Sequence, residues 1–322
     1  MIRTHRLLLK TASILIASIL GLAACDPASP ELAPNFTKGK NRFTTVVNGD
    51  TREYFVHIPD GYDGTTAFPV VFMLHGSSGD GEKFYNISGW KEVGEAQNII
   101  TVFPSSWHYC VIEDGGTKNT TKWNANGSFG FCAGEVPRDD EKFLATIITE
   151  LEAKFKIDAK RVYLEGFSNG GTMVSKCLIS MSDKFAAIAA NAGSLDLNVV
   201  AVPKQKIPFL LQVGNRDPNL MEGLGTTSPI PMNFTQLFSQ YPSIQGSINS
   251  FINVLGLNTT YTISGNENTQ IIARFASKTA NSPNDLYFAL VKDLEHEFPN
   301  GTNHVMKGAE VHWQWMKNYK LP

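Results

Sequence analysis

A serine hydroxyl attacks acyl groups only when an imidazole takes its proton and a carboxylate steadies that imidazole. This chain offers the three groups in the order Ser168, Asp217, His296. Ser168 lies in Gly166-Phe167-Ser168-Asn169-Gly170-Gly171, after the β-branched run Arg161-Val162-Tyr163-Leu164-Glu165 and before a helical pattern beginning at Thr172. Gly-x-Ser-x-Gly between a strand and a helix is the nucleophile elbow, whose small residues permit the sharp turn that exposes the hydroxyl. Asp217 follows the apolar run from Ile207 to Val213, and His296 follows the run from Asp285 to Val291. Ionisable groups just past the carboxyl ends of parallel strands are where an α/β sheet presents its chemistry.

Rival residues read differently. His304 and His312 fall in the stretch 302–319, an amphipathic helix pattern with Val305, Met306, Ala309, Trp313 and Met316 inward, so both are helix-face residues. Asp293 is too near His296 in sequence to orient it from behind, and Asp139 and Asp140 read as caps of a helix over 139–155. His57 reads as a strand residue with one ring edge exposed. The oxyanion of a tetrahedral intermediate needs two backbone N–H groups. Asn169, directly after the nucleophile, supplies one; Ser77, in His75-Gly76-Ser77-Ser78-Gly79 after the apolar strand Phe68 to Leu74, supplies the other. His75 holds that loop and moves no proton.

Taken together, His75-Gly76, Arg161-Val162-Tyr163, the elbow, Asp217-Pro218, and His296 with Pro299 resemble the polyhydroxybutyrate depolymerase and feruloyl or acetylxylan esterase family of secreted α/β-hydrolases. The resemblance runs from about Arg42 to Trp315. It implies an α/β-hydrolase fold, a mostly parallel central sheet flanked by helices, with an insertion between the catalytic Asp and His. It puts the family's serine, aspartate and histidine on Ser168, Asp217 and His296. The family tends to carry glycine before the histidine and tryptophan two after it, where this chain has Glu295 and Phe298. The expected activity is serine esterase chemistry on feruloyl, acetyl-polysaccharide or hydroxyalkanoate esters, polymeric substrates included, without cofactor. A serine peptidase of the same fold and a non-catalytic carbohydrate-binding lipoprotein with an inactive hydrolase fold are the alternatives.

Those three groups must be carried by a scaffold, and the chain divides accordingly. Residues 1–24 combine the basic Met1-Ile2-Arg3-Thr4-His5-Arg6 with an apolar run too short to span a bilayer comfortably, the pattern of a signal peptide. Leu22-Ala23-Ala24-Cys25 resembles a bacterial lipobox, which makes Cys25 the lipid-attachment residue. Residues 25–41 include a Pro-rich tether, and 42–322 is the catalytic domain. The protein is therefore expected to be exported and held at a membrane on its periplasmic or cell-surface face, with a secreted soluble form as the alternative. Loss of Arg3, Arg6 and Lys10 takes the formal charge from −2 to −5. With no basic run, nucleic acid is not an expected partner.

Export permits disulfides, and Cys110 and Cys132 bracket a Gly/Asn/Thr-rich stretch unable to build much core, so a bridge is expected there. Cys177 reads as a buried apolar residue, and no Cys/His spacing suggests a metal. Asn48-Gly49 between alternating runs marks a hairpin, and a helix is expected over 82–97. Residues 105–136 read as a long aromatic-rich loop contributing to the substrate site. The Asn/Ser/Thr/Gly-rich 218–270 reads equally as a cover for the catalytic mouth or as a peripheral packing unit.

Overall fold

The computed structural model describes residues 36–113, 115–125, 129–195 and 201–322. The leader, Cys25 and most of the tether lie outside the described residues. In chain order, β1 (Gly39–Val47) and β2 (Asp50–Ile58) form the hairpin expected at Asn48-Gly49, with Val47 opposite Asp50. The folded part thus begins before the boundary expected at residue 42. Phe36 already packs edge-on against Tyr62 and Phe155, because an aromatic ring next to a greasy edge strand has more to gain in the core than in a tether.

β3 (Phe68–Leu74) is buried at every residue, as its continuous apolar run requires. The helix expected over 82–97 is two: α1 (Gly81–Ile87), capped by Asp80, and α2 (Trp90–Gln97), separated by a turn at Ser88-Gly89. β4 (Ile100–Pro104) follows. Residues 105–136 are not a loop, since β5 (Trp107–Glu113), β6 (Gly116–Lys122) and β7 (Gly130–Phe131) form a separate antiparallel sheet in the order β6-β5-β7. The expected Cys110–Cys132 disulfide joins β5 to the residue after β7. Then come α3 (Asp140–Lys154), β8 (Ile157–Phe167), α4 (Asn169–Ser180), β9 (Ala187–Asn191) and β10 (Phe209–Gly214).

In the segment after Asp217, α5 (Pro218–Gly223) and α7 (Pro242–Leu255) supply residues to the cavity beside Ser168, α6 (Phe234–Gln240) packs against the sheet, and β11 (Leu257–Gly265) and β12 (Gln270–Ser277) extend it. The chain closes with β13 (Leu286–Val291) and α8 (Gly308–Met316). That last helix is shorter than the expected 302–319, and Val305 is 90% exposed instead of inward, because residues 302–306 turn back in a bridge between Asn300 and Lys307.

Among the described residues, the main sheet has ten strands in the order β1-β2-β4-β3-β8-β9-β10-β13-β12-β11. The six from β4 to β13 run parallel, and the two at each edge are antiparallel. One face packs on α3, α4, α6 and α7, the other on α1, α2 and α8. The parallel core has a consequence for chemistry: loops leaving β3, β4, β8, β9, β10 and β13 all emerge on one edge. Among the described residues no helix is long and apolar enough to cross a membrane.

Candidate active site

Ser168 sits between β8 and α4 with φ 53° and ψ −122°, a left-handed conformation that costs a non-glycine residue energy and is held by its surroundings. Its N–H donates to the Asn191 carbonyl at 2.8 Å, and its carbonyl accepts from Thr172 N–H at 2.9 Å. The turn is possible because the neighbouring backbones touch. A Cβ on Gly170 would lie 2.5 Å from the His75 carbonyl oxygen, and one on Gly76 would lie 3.0 Å from Ser168 Cβ.

The three residues brought forward by the sequence meet here. His296 Nε2 is 2.9 Å from Ser168 Oγ, and His296 Nδ1 is 2.7 Å from Asp217 Oδ2. Asp217 is 2% exposed, and its other oxygen accepts from the N–H groups of Asn219 and Leu220 at 3.0 and 3.3 Å, so the carboxylate is fixed by the start of α5 while facing the imidazole. With Asp217 accepting from Nδ1–H, Nε2 is left as the acceptor for the serine proton. The Phe167 ring lies 5.1 Å from that of His296 and supports its other side. Asp293 is turned away to Arg216 at 2.7 Å, and His304 to the Lys292 carbonyl at 2.9 Å.

Asn169 and Ser77 border the same cavity as Ser168. Asn169 opens α4, where the first N–H groups have no partner within the helix. Its side chain is occupied elsewhere, accepting from Trp123 N–H at 2.7 Å and donating to the Trp123 carbonyl at 3.3 Å. The Ser77 loop is sewn to β6: Ser78 N–H donates to the Thr121 carbonyl at 3.0 Å, and Thr121 Oγ1 to the Gly79 carbonyl at 2.5 Å. His75 is fully buried beneath it. Its Nε2 accepts from Ser106 N–H at 2.9 Å, so Nδ1 carries the proton and donates to the Gly76 carbonyl at 2.7 Å. Burial pulls its pKa down from 6.5 to about 4, which keeps the ring neutral. Trp123 Nε1–H donates to the His75 carbonyl at 2.8 Å, tying the small sheet to the loop once more.

The cavity at Ser168, about 520 Å³, has walls of different origin. Glu113, Lys122 and Phe129 come from the disulfide-bridged sheet; Leu220, Leu224 and Ile244 come from the segment after Asp217. Lys122 Nζ bonds Glu113 at 2.5 Å and lies 4.4 Å over the Phe129 ring. Cys177 is a buried free thiol, as expected.

Three side chains read as ordinary have larger parts. Asp139 caps α3 through Lys142 N–H, but Asp140 is buried against Arg52 Nη2 at 2.7 Å and accepts from Asn124 N–H at 2.7 Å. Burial pushes the Asp140 carboxyl up and Arg52 opposes it. His57 is enclosed, with its nitrogens bonded to Tyr85 and Glu95. His312 does not sit on an open helix face: it is fully buried against Glu165 and Gln212. The only sequence signal for that last contact is a glutamate inside an otherwise apolar strand.

The prolyl oligopeptidase family matches residues 115–221, which hold the elbow and the aspartate. The chain is 26% identical over 243 residues to a putative esterase, NocK, of Nocardia uniformis subsp. tsuyamanensis, covering 67% of each protein. It is 28% identical over 190 residues to a probable feruloyl esterase C of Aspergillus clavatus, covering 57% of this chain and 62% of that relative. Among solved structures, an acetyl xylan esterase from Aspergillus awamori superposes with a TM-score of 0.55 at 15% identity, over 86% of this chain and 99% of the other.

Proposed function

From the premise that the chain belongs to the esterases of the α/β-hydrolase superfamily, we propose that it hydrolyses carboxylic esters through Ser168, His296 and Asp217. The observation that carries this reading is the single imidazole bonded at once to Ser168 Oγ and Asp217 Oδ2. In the forward step His296 Nε2 takes the serine proton while Oγ attacks the acyl carbon. The carbonyl electron pair moves to oxygen, where the N–H groups of Asn169 and Ser77 receive it. Collapse expels the alcohol, which takes its proton from His296, and leaves an acyl-serine. Water then repeats the sequence and releases the acid. Asp217 keeps its hydrogen bond to His296 Nδ1–H throughout and stabilises the imidazolium.

Feruloyl, acetyl-polysaccharide and hydroxyalkanoate esters are the substrate classes; the first two are supported by the names of the relative from Aspergillus clavatus and the solved esterase. Ser168→Ala should lower ester turnover about 10⁴- to 10⁶-fold and abolish fluorophosphonate labelling with little change in Tm. Turnover above a few per cent of wild type removes Ser168 from its role, and an unlabelled wild-type protein points to an inactive hydrolase fold.

The match to the prolyl oligopeptidase family across the elbow favours a second reading, peptide-bond cleavage by the same groups. Paired chromogenic esters and peptide anilides separate the two. Export and anchoring through Cys25 rest on the residues of the leader. Cys25→Ser should move the protein from membrane to soluble fractions with its esterase constants unchanged, and continued partition into detergent excludes the anchor.

A further inference from the structure

The face of the sheet under α8 carries a row of polar side chains in apolar surroundings. Glu165 on β8, Asn191 on β9 and Gln212 on β10 are 0, 2 and 1% exposed, and the register sets Asn191 directly opposite Gln212. Gln270 on β12 continues the row beyond Ala289 on β13, whose small side chain leaves room beneath α8. Trp90 and His312 close it from the helical layer.

Hydrogen-bond directions along the row are fixed by the Gly166 carbonyl, which can only accept and so makes Asn191 Nδ2 a donor. Glu165 Oε2 accepts from Trp90 Nε1–H at 2.8 Å, and Oε1 accepts from Asn191 Nδ2 at 2.6 Å. Asn191 Oδ1 is therefore an acceptor and takes Gln212 Nε2–H at 2.8 Å. Gln212 Oε1 must then accept, from Gln270 Nε2 at 3.0 Å and from His312 Nε2–H at 3.1 Å. His312 Nδ1 meets Glu165 Oε1 at 2.5 Å. Each amide has a single orientation that satisfies its neighbours.

Hydrophobic side chains of similar volume would serve stability at least as well as this buried polar row. What distinguishes the row is where it ends. Glu165 directly precedes Gly166 at the start of the elbow. Asn191 Nδ2 also reaches the Gly166 carbonyl at 3.4 Å, and the Asn191 backbone carbonyl holds the Ser168 N–H. The backbone that leads into the serine is thus held at two points by one asparagine, which Glu165 and Gln212 hold in turn, with His312 bonded to both of them.

We infer that Asn191 and the residues behind it, Gln212, Glu165 and His312, are positioning residues that keep the Ser168 turn in its reactive shape, so that breaking the row slows acylation without weakening substrate binding. The inference rests on Ser168 being the nucleophile. A wild-type protein that gives no acylation burst and no fluorophosphonate adduct at Ser168 overturns that premise, whatever the variants do.

The experiment compares Asn191→Ala and Gln212→Ala with Leu151→Ala, a cavity in α3 that touches no member of the row. Burst-phase acylation by p-nitrophenyl acetate, KM and Tm are measured for each. Asn191→Ala should slow acylation about 10- to 100-fold with KM within twofold of wild type, since small misplacement of a reacting atom is enough for such losses. Gln212→Ala, one link further out, should slow it less, and Leu151→Ala should lower Tm with acylation unchanged. If Asn191→Ala does not fold, Gln212→Ala decides alone. Wild-type acylation rates in the folded row variants, or an equal loss in Leu151→Ala at equal Tm, overturn the inference.

Discussion

His75 gives the sharpest test of how the loop from His75 to Gly79 is held. The folded chain keeps this ring neutral with a pKa near 4, while the unfolded chain protonates it at about 6.5. Burial is the main cause; Asp80 opposes it, and Lys83 and Arg52 act with it. Between those two pH values the unfolded state binds a proton that the folded state refuses. The contribution is therefore fully present above pH 6.5 and is lost as pH falls towards 4. A gap of about 2.5 pH units, at about 1.4 kcal/mol each, makes the loss ~3 kcal/mol, most of it by pH 4.5. Urea unfolding of wild type and His75→Gln from pH 7 to 4 isolates this ring, because the other titrating groups are common to both proteins. The stability advantage of wild type should shrink by ~3 kcal/mol over that range. An advantage independent of pH refutes the reasoning and means that the ring is already charged, or open to water, in the folded protein.

Two further outcomes follow from the walls around the serine. Replacing Cys110 and Cys132 by serine opens a loop with a sequence separation of 22 and should cost about 3 kcal/mol in urea unfolding. It should also raise KM for a bulky feruloyl ester more than for an acetyl ester, because Glu113, Lys122 and Phe129 border the cavity; equal losses on both assign the bridge to stability alone. Gly76→Ala sets a methyl group 3.0 Å from Ser168 Cβ and should lower kcat about 10- to 100-fold, whereas an unchanged kcat shows that the loop gives way.

The meeting of Ser168, Asp217 and His296 was legible because each follows an apolar run that can only be a buried strand, and parallel strands deliver their ends to one edge. The hairpin at Asn48-Gly49 was legible for a similarly local reason. Residues 105–136 were not, since β6, Gly-Thr-Lys-Asn-Thr-Thr-Lys, has no apolar face of its own and exists by pairing with β5. The break between α1 and α2 hid because apolar residues lie on both sides of Ser88-Gly89, where Gly89 makes the turn at φ 79°. Asp140 and His312 were misread because a charge on a helix is cheapest in water; the partners that pay for burial, Arg52 and Glu165, lie 88 and 147 residues away.

Arg52 bears on how such an enzyme could be rebuilt. Its Nη2 donates to the Ser105 carbonyl at 3.2 Å and to Asp140 Oδ1 at 2.7 Å, so the chain leaves β4 and enters α3 at a single buried guanidinium. Everything between, the stapled sheet with its share of the cavity wall, is a cassette with its two feet on one post. Exchanging the part of 106–139 that borders the cavity, while keeping Arg52, Asp140, Ser106, Thr121 and the contacts of Trp123, changes the wall beside Ser168 and leaves the bonds to the His75-Gly79 loop in place. Variation at Glu113, Lys122 and Phe129 can then reshape one wall of the cavity while the bonds that hold the neighbouring loop persist.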